Sequence, residues 1–562
     1  MRKTKWSFLL TLMLVLSVFV AACSGGGEAT PEETPADEGT TTEGEATTPE
    51  EPASDVAQVL NVLETAEIPT MDTVMGTDAV AFEWGNAVFE GLYALGENAQ
   101  PVPGVAESHE VSEDGKVYTF KLREDAVWSD GSQVVADDFI FTWQKVVNPE
   151  TGSQYNFIMG DILNANSIMA GEMTPDQLGV KAIDETTLEV TLEQPVDYFL
   201  SLTAFPVYFP QKREFVEAQG ENYALEVENL LFNGPFVMTE WKHEEGWVLK
   251  KNPNYWDKDV VKLEEINIKV VKDVATGVNL YDTGKVDRAG LTSEFVDKYR
   301  NDPAFTTIEE TVVFWFKMNQ ENEALANENI RKAIALGVDR QGLTDVILNN
   351  GSIPAYTAVP KGFVSHPETG EEFNDKYGNF YEFDADLALE HWNKGLEELG
   401  LTELSLEILG GDTETAKKSD AYFKDQLEKH LPGLTVTLLE VPFKQRLELD
   451  ETQQYDLQVA GWGPDYLDAM TFVDLWVTGG GHNMMSYSNP EFDQLIEDSK
   501  TNLTGVERFE AMQEAARIVM EDAAFSPLYQ RARAVLIQPY IKDMFVLPFG
   551  PDYTYKWASI EK

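Results

Sequence analysis

The chain has 562 residues, 43% of them hydrophobic and 11% aromatic, which is enough for two or three globular domains with sizeable cores. Its formal net charge of -55 excludes nucleic acid as a partner, because phosphate binding needs a basic surface. An anionic membrane would also repel the folded body, so membrane residence would need a tether.

The first residues have the pattern of an export signal. A basic start is followed by an apolar segment of roughly 15 residues and then by small residues, which predicts a signal peptide over residues 1–22. The segment is short for a transmembrane span. Val20 to Cys23 resembles the bacterial lipoprotein box, so we predict lipidation at Cys23. The alternative is an ordinary signal peptide with an incidental cysteine. Cys23 is the only cysteine, which excludes an internal disulfide.

The next segment is a predicted linker. Residues 24–55 contain no aromatic and no basic residue and are rich in Gly, Thr, Pro and Glu. Such a composition buries too little apolar surface to offset ordering entropy. We therefore predict a lipid-anchored, disordered acidic linker over residues 23–55, with an acidic interaction tail as the alternative. From Val56 onward apolar patterning is continuous, without a second linker of this kind.

Helical and strand patterns alternate through the remaining chain. Residues 117–122 alternate as a strand with Tyr118, Phe120 and Leu122 on one face, and Trp128 to Ser132 predicts a turn. Acidic residues in the first turn and one apolar stripe predict a helix over residues 136–147. The stripe comprises Phe139, Ile140, Trp143, Val146 and Val147.

A second set of elements follows the same alternation. Residues 327–348 predict one helix with an inward face, residues 491–500 and 507–523 predict two more, and residues 263–271 and 434–441 predict strands. The inward face of the first helix comprises Ile330, Ala333, Ile334, Leu343 and Val346. Strands alternating with helices predict a mixed α/β protein of two lobes.

No catalytic or cofactor motif stands out. The six histidines include no pair at metal-ligand spacing, and no thiol is available beyond Cys23. There is no nucleophile elbow, phosphate loop or dinucleotide fingerprint. We therefore expect no enzyme activity, no cofactor and no metal. A glycosidase pair of carboxylates stays open, because sequence alone does not give their separation.

One carboxylate stands in an unusual setting. In "YDLQVAGWGPDYLDAM", residues 455–470, Asp465 lies between Trp462 and Tyr466 and follows Gly463 and Pro464. A carboxylate among aromatic rings is poorly solvated unless a cation meets it. An exported chain without catalytic groups suggests a protein that captures a ligand in a cleft, and that ligand is a candidate for the cation.

Several stretches together resemble the extracellular solute-binding proteins of peptide ABC importers, family 5, of the oligopeptide-binding type. The resemblance covers most of the chain after the linker. It is carried by residues 89–95, 103–153, 233–242, 249–257, 330–340 and 455–466. It implies an α/β, two-lobed periplasmic-binding-protein-like (class II-type) fold with an extra small domain and mixed sheets flanked by helices. The lobes would close around an extended peptide by hinge motion.

The same resemblance implies domain boundaries. Lobe one would be assembled from residues 56–89, 206–311 and 529–562. The extra domain, residues 90–205, would pack on lobe one, and residues 313–528 would form lobe two.

The resemblance also implies the peptide-binding residues. Asp465 matches the aspartate that holds the peptide's α-ammonium, with a surface or capping carboxylate as the alternative. Gly461 and Gly463 would let the ligand backbone approach, with turn geometry as the alternative. The other matched positions are Thr77, Asp78 and Ala79 beside the ligand backbone, Tyr155 against the peptide, and Trp462 and Phe443 at side-chain pockets. For Tyr155 and Phe443 the alternative is core packing; for the three loop residues it is a plain loop. Some members have, at the position of Val459, an arginine that meets a ligand carboxylate. This chain departs from that pattern, which implies that the peptide C-terminus is held elsewhere or left free in a longer groove.

The implied function is an extracellular receptor that captures oligopeptides and delivers them to an ABC importer. Its partners would be the peptide, the permease subunits and, through the lipid anchor, the outer face of the bacterial cell membrane; the protein would be a monomer. Alternatives are a peptide-pheromone receptor for signalling, or a binder of a non-peptide solute such as a nickel complex, heme or sugar.

Overall fold

The structure, a computed structural model, describes residues 56–196, 198–547 and 550–562. The predicted signal peptide, Cys23 and the predicted linker lie outside these residues. No helix within the described ranges is long and apolar enough to cross a bilayer.

Strands and helices alternate along the chain. The strands are β1 (Val59–Glu64), β2 (Tyr93–Leu95), β3 (Pro101–Pro103), β4 (Ala106–Val111), β5 (Val117–Leu122), β6 (Val180–Asp184), β7 (Thr187–Thr191), β8 (Phe236–Lys242), β9 (Gly246–Lys251), β10 (Glu265–Val270), β11 (Arg288–Gly290), β12 (Phe305–Met318), β13 (Ile353–Pro354), β14 (Leu404–Gly411), β15 (Leu434–Val441), β16 (Leu457–Trp462), β17 (Phe525–Ile537), β18 (Ile541–Lys542), β19 (Phe545–Val546), β20 (Tyr553–Thr554) and β21 (Ser559–Ile560). The helices are α1 (Ala79–Val88), α2 (Ala136–Val147), α3 (Ala165–Met169), α4 (Phe199–Leu202), α5 (Arg213–Gln219), α6 (Val274–Asp282), α7 (Ser293–Tyr299), α8 (Glu328–Leu336), α9 (Arg340–Gly342), α10 (Ala385–Leu399), α11 (Glu414–His430), α12 (Phe443–Glu451), α13 (Met470–Val473), α14 (Pro490–Thr501) and α15 (Gly505–Glu521).

Three larger sheets organise these elements. The first has the order β1-β10-β9-β8, with β1 parallel to β10 and the rest antiparallel. The second, antiparallel, has the order β4-β5-β7-β6. The third has the order β11-β17-β12-β16-β14-β15; its β11 to β16 part is antiparallel and its β16-β14-β15 part parallel. The fold is therefore mixed α/β, as predicted.

Two long strands, β12 and β17, run antiparallel through the third sheet and are interrupted by a bulge. Their register shifts between Glu309 and Val313. Glu310, inside the bulge and buried, accepts hydrogen bonds from Arg531 and Arg533 of β17. A bulge bends a strand locally, so the two ends of β12 and β17 extend in different directions from this ion cluster.

Most of the predicted elements are confirmed. Strand β5 buries Tyr118, Phe120 and Leu122, and α2 has the predicted bounds with its whole apolar stripe buried. Strands β10 and β15 and helices α14 and α15 lie at the predicted places.

The single helix predicted over residues 327–348 is wrong. Helix α8 ends at Leu336, and Asp339 then caps α9 by accepting a hydrogen bond from the Gly342 amide at 3.0 Å. A π-helical turn over Leu343–Leu348 follows. The interruption and the wider π turn break the 3.6-residue phase on which the inward face was predicted. Val346, predicted to face inward, is consequently 69% exposed, whereas the other four predicted inward residues are buried.

Candidate functional site

A cleft of about 230 Å³ lies between the face of β12 and β16 on one side and the loop before α1 on the other. Helix α12 and residues 475–482 complete its wall. The cleft is lined by Pro69, Thr70, Met75, Thr77, Asp78, Gln154, Trp315, Lys317, Lys444, Arg446, Leu447, Glu448, Asp450, Glu451, Ala460, Gly461, Trp462, Leu475, Trp476 and His482.

The floor of the cleft follows from strand pairing. Trp315 pairs with Ala460 and Lys317 with Gln458 across the β12–β16 ladder. Directly paired residues project to the same face of a sheet, and so do residues two apart. Trp315, Lys317, Ala460 and, two residues on, Trp462 therefore share the face that the cleft exposes.

One edge of β16 is open beyond its first two residues. The strand pairs with β12 along its whole length, but with β14 only at Leu457 and Gln458. The Val459 carbonyl, the next along that edge, accepts a hydrogen bond from Nη1 of Arg446 at 2.9 Å. An unpaired strand edge offers N–H and C=O groups to an added extended chain.

Asp465 lies just beyond the C-terminal end of β16 and is 5% exposed. Its Oδ1 accepts a long hydrogen bond from the Tyr155 hydroxyl at 3.4 Å, and its backbone N–H donates to Thr471 Oγ1 at 3.0 Å. Its Oδ2 is buried and has no hydrogen-bond partner in the described part of the chain. Burial, reinforced by the nearby Asp474, raises the pKa of Asp465 well above its usual range. A buried carboxylate with an unused oxygen and no cation is a costly arrangement unless a ligand supplies the cation.

Asp465 and Tyr155 are not among the residues that line the cleft, but Tyr155 connects Asp465 to two aromatic residues that do. The Tyr155 ring stacks on Trp462 with centroids 5.7 Å apart and planes 11° apart. His482 meets the edges of both rings, at 5.0 Å from Tyr155 and 4.6 Å from Trp462. Burial lowers the pKa of His482 to about 3, so this imidazole is neutral and does not supply the missing cation.

Several buried polar atoms around the cleft have no partner among the described residues. They are Nε1 of Trp315, Trp462 and Trp476, Nε2 of His482 and Oδ2 of Asp78. Buried polar groups are normally hydrogen-bonded, so a concentration of unpartnered ones around one cleft indicates a polar ligand or ordered water there.

The loop before α1 reaches the cleft through two of the three residues predicted there. Thr77 and Asp78 line the cleft, whereas Ala79 is exposed and is not among the lining residues. Asp78 caps α1, since its Oδ1 accepts from the Ala81 amide at 3.0 Å. Burial raises the pKa of Asp78 to about 6.

The two glycines and Phe443 occupy different surroundings. Gly461 lines the cleft, and a Cβ there would also come within 2.8 Å of the Phe314 ring, its cross-strand neighbour. Gly463 has more room, with Val312 at 3.2 Å from such a Cβ. Neither Gly463 nor Phe443 is among the lining residues; Phe443 begins α12, and the Arg446 guanidinium lies over its ring at 5.1 Å.

Sequence reasoning missed much of the cleft wall. Trp315 and Lys317 lie in the apolar run of β12, where no periodicity distinguishes the cleft face from the opposite one. Trp476 ends a short 3₁₀ helix and His482 lies in a turn. Arg446 could have been suspected, as a basic residue in an acidic segment close to the predicted site, but nothing in the sequence brings it to β16. Within the described ranges no group of His, Cys, Asp or Glu could hold a metal ion.

The comparisons with known proteins agree on one group of relatives. Residues 100–484 match the profile of the bacterial extracellular solute-binding proteins, family 5, middle region. The chain is similar to the dipeptide-binding protein of Lactococcus lactis subsp. cremoris, with 32% identity over 88% of this chain and 93% of that protein. It is also similar to the structure of Listeria monocytogenes OppA bound to peptide, with 44% identity, a TM-score of 0.88, and coverage of 90% of this chain and 99% of that one.

Two structures of one relative differ in their likeness to this chain. The Escherichia coli murein tripeptide-binding protein MppA, at 26% identity over 90% of this chain and 98% of its own, has a TM-score of 0.81. Its unliganded open form, at 27% identity over 90% and 97%, has a TM-score of only 0.58. The identities are nearly equal, so conformation accounts for the difference, and the present chain is unlike the open form. From the profile match and these relatives, the chain belongs to the bacterial extracellular solute-binding proteins of family 5 and is a solute-binding protein rather than an enzyme.

Proposed function

We propose that this chain is the extracellular receptor that binds oligopeptides and delivers them to an ABC importer. The relatives named dipeptide-binding protein and peptide-bound OppA support peptides as the solute. The cleft supports it independently, because an open strand edge bordered by aromatic rings suits an extended backbone with variable side chains.

The orientation of the ligand is inferred from one observation. The buried Oδ2 of Asp465 has no hydrogen-bond partner among the described residues. A peptide's α-ammonium supplies the cation that the described residues do not. Ammonium and carboxylate form a charge-assisted hydrogen bond, which is strong when water is excluded. Asp465 then fixes the first residue of the peptide, and Tyr155 orients the carboxylate through its hydroxyl.

The peptide backbone runs along the open edge of β16. Gly461 and Gly463 leave room for its approach, and Thr77 and Asp78 face it from the opposite wall; Ala79 and Phe443 are secondary contacts at the margins. Trp462 contacts a side chain of the peptide.

Two lobes close over the ligand in this proposal. Lobe one comprises residues 56–89, 206–311 and 529–562, lobe two residues 313–528, and the extra domain residues 90–205. The bulge at Glu310 lies at the first boundary between the lobes. Hinge closure agrees with the low likeness to the unliganded open form of MppA.

The protein acts outside the cell as a monomer held to the membrane by a lipid on Cys23. The acidic segment of residues 23–55 spaces the folded body from the membrane.

Calorimetric titration tests the proposal. A short peptide with a free amino terminus should bind well, whereas its N-acetylated form should bind far more weakly. Equal affinity of the two forms would refute the role of Asp465. The signalling alternative predicts one favoured sequence, so competition among mixed peptides distinguishes a pheromone receptor from a general importer.

A further inference from the structure

Two tyrosines of the proposed extra domain hold the segment that carries Asp465. The Tyr155 ring stacks on Trp462 with centroids 5.7 Å apart. The Tyr198 ring stacks on Tyr466 with centroids 4.5 Å apart and planes 20° apart. Asp465 lies between the two stacked residues in the sequence, so the extra domain contacts its segment on both sides of the acid.

Both tyrosines are fixed on their own side of this contact. Tyr155 also stacks on Phe205, with centroids 5.4 Å apart and planes 26° apart. Tyr198 precedes α4, and its carbonyl accepts hydrogen bonds from the N–H of Ser201 at 2.9 Å and from its hydroxyl at 2.6 Å. Because these neighbours belong to the extra domain, the two rings are anchored there rather than in lobe two.

A close backbone approach joins the same two parts of the chain. A Cβ at Gly481 would lie 2.8 Å from the carbonyl oxygen of Gln154, a separation that real Cβ atoms almost never show. The φ of Gly481 is outside the left-handed region, so its backbone conformation does not require a glycine. The close approach of the extra domain does require one. Nearby, Nε2 of Gln194 donates a long hydrogen bond to the Thr501 carbonyl at 3.4 Å.

Apolar packing is continuous across this contact. The buried cluster that includes Phe120 and Trp143 of the extra domain extends into Met470, Phe472 and Trp476 of lobe two. Removing apolar surface from water stabilises the arrangement in which the two parts touch. The contact is therefore an apolar interface and not only a pair of stacked rings.

We propose that these contacts form a clamp, made of the Tyr198–Tyr466 stack and the Gly481–Gln154 approach, which holds the extra domain against lobe two when the cleft is closed over a peptide. The clamp rests on the proposed function, because it presumes that these two parts separate when the cleft opens. None of its four residues except Gln154 lines the cleft. An interaction made in only one of two states shifts the equilibrium toward that state, so the clamp retains the peptide by stabilising the closed form.

The first experiment removes the ring stack. Tyr198→Ala is compared with Tyr198→Phe, which keeps the ring, and with the unaltered protein. Calorimetry gives the affinity for a short peptide with a free amino terminus, and stopped-flow displacement of a fluorescent peptide gives the dissociation rate. An aromatic pair contributes about twofold to tenfold to an equilibrium constant. We expect Tyr198→Ala to weaken binding by at least this factor, mainly through faster dissociation, and Tyr198→Phe to bind like the unaltered protein.

The second experiment places a methyl group in the close approach. Gly481→Ala is compared with Gly480→Ala, a matched control in the same loop, where a Cβ would meet only Val477. In the closed form the methyl group of Gly481→Ala collides with Gln154, whereas in the open form it has room. We expect this variant to release peptide faster and to have a larger radius of gyration in small-angle X-ray scattering. Circular dichroism melts of the empty proteins check that all variants fold.

The outcomes separate the clamp from the proposed function. The clamp stands if Tyr198→Ala and Gly481→Ala both release peptide faster while their matched variants do not. It is overturned if either releases peptide no faster than the unaltered protein, or if its matched variant releases peptide as fast. If the unaltered protein binds no peptide, the proposed function fails and scattering decides the clamp. A larger radius of gyration in both variants then supports it, and unchanged radii refute it.

Discussion

Replacing Asp465 with asparagine tests the central electrostatic argument. The change should raise the stability of the empty protein and lower its affinity for peptide. Asparagine keeps the shape of the side chain and removes its charge. In the empty protein the carboxylate is 5% exposed and its pKa is raised by burial. The folded state therefore binds this proton more tightly than the unfolded state, and stability falls as pH rises from the ordinary aspartate pKa through the raised one. The variant lacks this loss, so the empty protein should be more stable than the native one at neutral pH.

The affinity of the Asp465→Asn variant for peptide should fall. Two unit charges 4 Å apart attract by about 4 kcal/mol at an effective dielectric constant of about 20. Removing one partner of a buried pair commonly costs about 2–5 kcal/mol, which is about 30-fold to 5000-fold in affinity. Below the raised pKa, native Asp465 must also release its proton when the ammonium binds, so the native protein should release a proton that the variant does not.

The assays are thermal unfolding of the empty protein and calorimetry in two buffers of different ionisation enthalpy. Asp474→Asn is the control, since Asp474 is buried nearby but already paired with Lys500 at 3.1 Å. The control should keep the preference for free over N-acetylated peptide. The reasoning fails if Asp465→Asn keeps that preference, or if it destabilises the empty protein.

The remaining predictions concern stability, the strand edge and the tether. Burial raises the pKa of Glu83 from 4.5 to about 8, so denaturant unfolding should show stability falling between about pH 4.5 and pH 8, and Glu83→Gln should reduce that slope; an unchanged slope in the variant would show that Glu83 is not the group that titrates there. Glu310→Gln should destabilise the fold by about 1–3 kcal/mol, because it removes the buried carboxylate that two partly exposed arginines share, while Asp552 stays as their second acid partner; a loss under about 0.5 kcal/mol would argue that this ion cluster is solvated. Gly461→Val should lower the melting temperature, since its side chain meets the Phe314 ring on the face of β16 opposite Ala460 and Trp462; an unaltered melting temperature would argue that the Phe314 ring moves aside without cost. Cys23→Ala should move the protein from the membrane fraction to the medium, and continued membrane association would exclude a lipid on that residue.

Local patterns predicted many elements correctly because their signals are complete within one segment. The alternation in β5 and the stripe in α2 each specify which face is buried. The interrupted helix after Leu336 shows the limit of such patterns. A glycine and a capping aspartate stopped the helix, and the side chains beyond the break followed a new phase, which left Val346 outside.

The residues of the candidate site also differ in whether the sequence around them reveals their role. Asp465 was identifiable because its neighbours in sequence, two aromatic residues and glycines, already imply poor solvation. Lys317 and Arg446 were not identifiable, because they come from separate elements that meet only at β16. Val459 stands where some family members have an arginine, and its carbonyl instead accepts a hydrogen bond from Arg446 of α12.

The sequence by itself determined the export pattern, the acidic composition, the alternating elements and the isolated acid, because each depends on residues close together in the chain. Only the tertiary structure decided which strand edge stays open, how deeply Asp465 is buried and which cations line the cleft. These features depend on distances between separate segments, which are 13 residues apart for Arg446 and Val459 and 310 residues apart for Tyr155 and Asp465. Burial and ion pairing are set by those distances, and composition does not encode them.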